Sequence, residues 1–101
     1  MKVDFRKICM TDIEGKKAPR DFSKEIGNVI FATTKEIGEL DLARDIYHKG
    51  EVELTKEQAQ MVKGYVDANF LAFAKEAILP ALEAVINYNP NKETKNLKLK
   101  K

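Results

Sequence analysis

A single cysteine and a single histidine leave few routes to chemistry in this 101-residue chain. Cys9 has no partner for an internal disulfide, which fits a reducing compartment. No cluster of thiols or imidazoles has the spacing of a zinc site, so neither a metal nor a cofactor is expected. The glycines at 15, 27, 38, 50 and 64 are scattered and form no phosphate-binding loop. No apolar run approaches the 18 residues of a membrane span. The first residues, Met1-Lys2-Val3-Asp4-Phe5-Arg6-Lys7, carry charge where a secretory leader needs an apolar stretch, so a cytoplasmic protein is expected.

What is present is 44% apolar and 34% charged, the composition of one well-solvated globular domain. The net charge of +2 conceals an uneven distribution. Residues 92–101 hold five lysines and one glutamate, and residues 1–24 hold seven basic and four acidic side chains. Residues 25–91 hold six basic and eleven acidic ones, so the body is acidic and the ends basic. The expected organisation is one globular domain over 1–89 followed by a flexible Lys-rich tail over 90–101.

The pattern predicts an α+β fold. Residues 2–11 are rich in β-formers, but the alternation slips between Phe5 and Ile8, and a bulge near Lys7 would return both halves to one face. Glu14-Gly15 is a turn signal, and a return strand is expected near Lys16–Phe22. Pro19 cannot donate to a ladder, which places that strand at an edge. Ser23 is a candidate N-cap for a helix whose apolar face is Ile26, Val29, Ile30, Thr33 and Ile37, ending at Gly38. A second helix is expected over Glu39–Lys49, with Gly50 as its C-terminal glycine. Glu51–Leu54 alternates and is either a third strand paired with the hairpin or an extended linker.

Thr55 and Gln58 have the spacing of a capping box and open a long helix. Its core stripe is Ala59, Val62, Val66, Phe70, Phe73 and Ala77. The stripe rotates at Ile78, beside Pro80, so the long C-terminal helix is expected to kink or break there and a final helix to begin at Pro80. The domain is thus an N-terminal β-hairpin packed on three to four helices.

Each candidate site has a structural alternative. His48 and Cys9 would make a nucleophilic pair only if adjacent. The favoured reading makes His48 a helix-end cation and Cys9 a half-buried strand residue. Glu36, Glu39, Asp41 and Asp45 offer oxygen ligands, but a solvated helix junction is the preferred reading. Gly27 and Gly64, inside helices, are explained by close helix crossings. Lys16, Lys17 and Arg20 with Lys95, Lys98, Lys100 and Lys101 form a candidate nucleic-acid surface, against which stand the acidic body and the scarcity of arginine. Phe31 lies about 140° from Ile26 around its helix and must meet another element or a partner. Ile78, Leu82, Val85 and Ile86 face both ways across a short terminal helix. With Phe31 and Leu71 they form the candidate protein interface, unless the chain buries them itself.

Glu25-Ile26-Gly27-Asn28-Val29-Ile30, Ile46-Tyr47 and Gly50-Glu51-Val52-Glu53-Leu54-Thr55 resemble segments of small proteins encoded in prophages and related mobile elements. The resemblance covers residues 1–78, implies an accessory or assembly role, and brings no catalytic residues. The sequence therefore reads as a non-catalytic protein–protein interaction or assembly module, a homodimer through its C-terminal helices. The alternative is a nucleic-acid-binding accessory protein that uses the basic hairpin and tail.

Overall fold

A computed structural model describes residues 1–88. Three short strands, β1 (Lys2–Asp4), β2 (Ile8–Thr11) and β3 (Lys17–Arg20), precede two helices, α1 (Ser23–Thr33) and α2 (Ile37–Lys49). Strand β4 (Glu51–Glu53) then leads into α3 (Lys56–Asn69) and α4 (Ala72–Ile86). The fold is α+β, with two separate two-stranded antiparallel sheets, β1–β4 and β2–β3.

The slip in alternation after Phe5 is a turn and not a bulge. Lys7 N–H donates to the Asp4 carbonyl at 3.2 Å, and Asp4 Oδ1 accepts from the Arg6 N–H at 3.0 Å. The turn sends the chain from one sheet into the other. Val3, Phe5 and Ile8 are all buried, so the reversal achieves what a bulge would have done. Only β2 and β3 form the hairpin. Asp12 closes it, its Oδ1 accepting from the N–H groups of Glu14 and Lys16 at 2.9 Å each, while Gly15 takes φ +87°. Asp12 N–H donates to the Lys16 carbonyl, so hydrogen-bonded and open pairs alternate back to Pro19, opposite Cys9. Pro19 falls on an open pair, where its missing N–H costs the ladder nothing.

Glu51–Glu53 is a strand, and it pairs with the start of the first expected strand: its partner is β1, with Val52 opposite Val3. Helix α1 stops at Thr33, short of Ile37, which opens α2 and is 78% exposed. Gly38 sits in the first turn of α2 and ends nothing. Gly50 does end α2, at φ +75°.

Ser23 is the first residue of α1, not its cap. Asp21 supplies the acceptor instead, its Oδ1 taking the Ser23 N–H at 2.8 Å and the Ser23 hydroxyl at 2.6 Å. These bonds hold the Asp21 carboxyl below its ordinary pKa, and they satisfy Ser23, which is buried. The capping box of α3 forms in full: Gln58 N–H donates to Thr55 Oγ1 at 3.1 Å and Thr55 N–H to Gln58 Oε1 at 2.9 Å.

The C-terminal helix breaks at Phe70-Leu71, both extended, and not at Pro80, which lies inside α4. With the break there, Ala74, Ile78, Leu82 and Val85 form one continuous buried stripe against β2 and α3. The rotation of the apolar pattern therefore belongs to the earlier break. Pro80 and its i−4 neighbour Glu76 are exposed, on the side of a helix where water can hydrate the carbonyl that a proline leaves unpaired. Phe73 is consequently not in the core stripe and is 45% exposed.

One core unites these elements: Phe5 and Phe22 at its centre, Ile26, Ile30 and Ile46 from α1 and α2, Val62 and Val66 from α3, and Ile78 and Leu82 from α4. Among the described residues no helix is long and apolar enough to cross a membrane.

Candidate functional site

The outward side of α1 carries the candidate site. Gly27 faces α2 so closely that a Cβ there would lie 2.9 Å from the Ala43 carbonyl oxygen and 2.9 Å from Tyr47 Cβ. The crossing expected at Gly27 is therefore present. Gly64 has nothing within 4 Å of such a Cβ, so no crossing explains it. One turn after Gly27, Phe31 is left outside the core at 49% exposure, with the Arg44 guanidinium 5.6 Å from its ring centroid. Tyr47 and His48 continue this rim in an edge-on stack at 5.1 Å. A groove of about 240 Å³ runs between Asn28, Phe31, Arg44, Tyr47 and His48.

On the other side of α1 a second groove, of about 380 Å³, separates Asn28 and Val29 from Phe70, Leu71 and Phe73. Leu71 is 72% exposed because it is the residue on which the chain turns between α3 and α4. Asn28 borders both grooves, so an aromatic rim and an aliphatic–aromatic rim flank the same helix face. Arg20 borders this region from β3, its guanidinium 5.0 Å from the Phe22 ring centroid and 5.7 Å from that of Phe73, and 3.7 Å from Glu25.

Of the six residues expected at an interface, Phe31 and Leu71 are exposed and Ile86 is half-buried. Ile78, Leu82 and Val85 lie in the core at 0%, 0% and 5% exposure. For these three the expectation is corrected: α4 packs on α3 and β2 through one stripe, and the chain buries that stripe itself. Phe73 and Val29 stand in their place. A single helix run through residue 70 puts Phe73 on the core stripe, and the periodicity of α1 puts Val29 on its core face, where the structure leaves it half-buried. The only local hint of a stop is Asn69, a weak helix former whose side-chain amide donates to the Tyr65 carbonyl at 2.9 Å.

The other candidates are dispersed. Cys9 is exposed on β2, not half-buried, and His48 lies in the last turn of α2 on the α1–α2 rim. Among the described residues no cluster of His, Cys, Asp or Glu could hold a metal ion. Glu39 is committed to hydrogen bonds from Thr34 at 2.7 Å and Tyr65 at 2.8 Å, while Asp41 pairs with Arg44 at 3.4 Å and Asp45 with Lys49 at 3.6 Å. On the hairpin, Lys16 lies 3.9 Å from Glu14, Lys17 is exposed, and Arg20 is engaged as described. Lys95, Lys98, Lys100 and Lys101 fall outside the described residues.

No protein-family model, curated protein or solved structure matches this chain. The functional reading rests on its own residues.

Proposed function

We propose that the protein is a non-catalytic interaction module of the cytoplasm that self-associates through the outer face of α1 and the α3–α4 junction. The observation that carries this reading is the exposure of Phe31, Leu71 and Phe73 at 49%, 72% and 45% on two rims of one helix face. Large apolar side chains beside an arginine are the composition of interface centres. The polar groups between them, Asn28 and Arg44, give such a contact direction. A homodimer through this face joins two copies in an assembly or accessory role, of the kind the prophage resemblance suggests.

The reading differs from one based on the terminal helix alone, because α4 keeps its stripe for the core and lends only its first residues. Sedimentation velocity over a concentration series is the test. A dimer in the wild type that becomes monomeric in Leu71→Asp and Phe31→Asp, with circular dichroism unchanged, supports it. A wild type that stays monomeric throughout removes self-association, and a dimer that both substitutions leave intact moves the contact elsewhere.

A further inference from the structure

The two grooves beside α1 match in level and differ in charge. Both run along the same stretch of the helix, the first lined from Gly27, Asn28 and Phe31 and the second from Glu25, Asn28 and Val29. Between them Lys24, Asn28 and Ala32 form one exposed row at i, i+4 and i+8. Asn28 and Ala32 are short, so a second helix can lie close along this row.

The charges divide across it. On the α2 side Lys24 reaches over Tyr47, its Nζ 5.9 Å from the ring centroid, and Arg44 and His48 line the first groove. On the α4 side the charged residue lining the second groove is Glu25. Arg20 approaches Glu25 at 3.7 Å, but the Glu25 side chain stays 52% exposed, and a carboxylate accepts from more than one cation.

A two-fold axis can set α1 on a second α1 in two ways. An axis across the helices makes them antiparallel and lays each groove on its own copy. Lys24 then faces the partner's Arg44, and like charges placed opposite each other are unfavourable. An axis along the helices makes them parallel and lays the first groove of each copy on the second groove of the other. Lys24 then meets the partner's Glu25, level with it to within one residue's rise of about 1.5 Å.

We propose, on the basis of the self-association argued above, that the dimer is the parallel one. Leu71 of each copy seats between Phe31 and Tyr47 of the other, and Phe31 seats between Val29 and Phe73. Lys24 pairs with Glu25 on both sides of the axis, and Asn28 and Ala32 meet their own copies on it. The sizes agree: the groove of about 380 Å³ receives the ring and that of about 240 Å³ the aliphatic side chain. The levels agree as well. Phe31 lies two residues beyond Val29, and helical side chains lean toward the N-terminus, which brings its ring back level with the second groove.

Cysteine cross-linking reads the arrangement. Asn28→Cys and Ala32→Cys, made separately on a Cys9→Ser background, are both expected to oxidise to disulfide-linked dimers, because a disulfide needs Cα atoms within about 7 Å. In an antiparallel dimer a position four residues from the axis is about 12 Å from its own copy along the helix, so at most one of the two links. One link or none, in a chain that sedimentation velocity shows to dimerise, would overturn the parallel arrangement and leave self-association standing. A chain that is monomeric at every concentration would remove both.

Charge exchange tests the pairing. Lys24→Glu and Glu25→Lys are each expected to raise the dimer dissociation constant about tenfold, and the two together to restore it to within about threefold of wild type. Single substitutions without effect, or a double variant no tighter than the single ones, would overturn the proposal.

Discussion

The Tyr65 hydroxyl donates to Glu39 Oε1 at 2.8 Å, joining the middle of α3 to the first turn of α2 across 26 residues of sequence. The same oxygen accepts from Thr34 Oγ1 at 2.7 Å, so the α1–α2 connection and α3 share one acceptor. The Thr34 hydroxyl pulls the Tyr65 pKa down, but burial and the Glu39 carboxylate outweigh it and leave the phenol above its ordinary value. Tyr65→Phe is expected to lower stability by about 1.5–3 kcal/mol, the range for a hydrogen bond to a charged group. Combined with Glu39→Gln, the two losses should fall short of additivity, because each removes part of the same contact. Urea melts of the two single variants and the double variant measure this directly, and strict additivity would deny the coupling.

Gly27 and Gly64 make a contrasting pair. A methyl at Gly27 meets the Ala43 backbone and Tyr47, so Gly27→Ala must push α1 and α2 apart and cost about 1–3 kcal/mol. Gly64 faces open space in mid-helix, so Gly64→Ala should gain up to about 1 kcal/mol from helix propensity. Denaturation midpoints of opposite sign, with the dependence on denaturant unchanged, are the expected result.

Leu82 is fully buried in the α4 stripe. Leu82→Ala is expected to destabilise the chain by about 2–5 kcal/mol. Leu82→Asp is expected to unfold it, since a carboxylate at that position has no water and no partner. Loss of helical circular dichroism in Leu82→Asp separates this role from that of Leu71→Asp, which should keep it.

Asp21 ties stability to acid. Its carboxyl is held low by the hydrogen bonds from Ser23, so the folded state binds its proton less readily than the unfolded chain, whose ordinary value is 3.8. The contribution is therefore complete above that value and is lost as pH falls through the lower folded pKa. Asp21→Ala should cost about 1 kcal/mol at neutral pH, as removal of a helix N-terminal acceptor does. The difference from wild type should shrink below about pH 4 as the wild-type Asp21 carboxylate takes up its proton. A difference that stayed constant down to strongly acidic pH would exclude the carboxylate as its source.

Where local chemistry was sufficient, the sequence alone determined the element. Thr55 and Gln58 specify the start of α3 because both partners of the capping box lie within four residues. Gly15 and Gly50 specify the hairpin turn and the end of α2 because positive φ favours glycine. Pro19 marks its strand as an edge for an equally local reason. Tertiary structure decided the rest. Phe70 and Leu71 have no helix-breaking chemistry of their own. The chain turns there, and with that turn Ala74, Ile78, Leu82 and Val85 face α3 and also β2, a strand that the sequence places more than fifty residues away. Whether Glu51–Glu53 pairs at all was undetermined for the same reason, since an extended linker satisfies its alternation equally well locally. Which apolar residues remain outside, Phe31, Leu71 and Phe73, follows only once the core has taken the others. Burial is a property of the whole packing, and periodicity along one helix does not contain it.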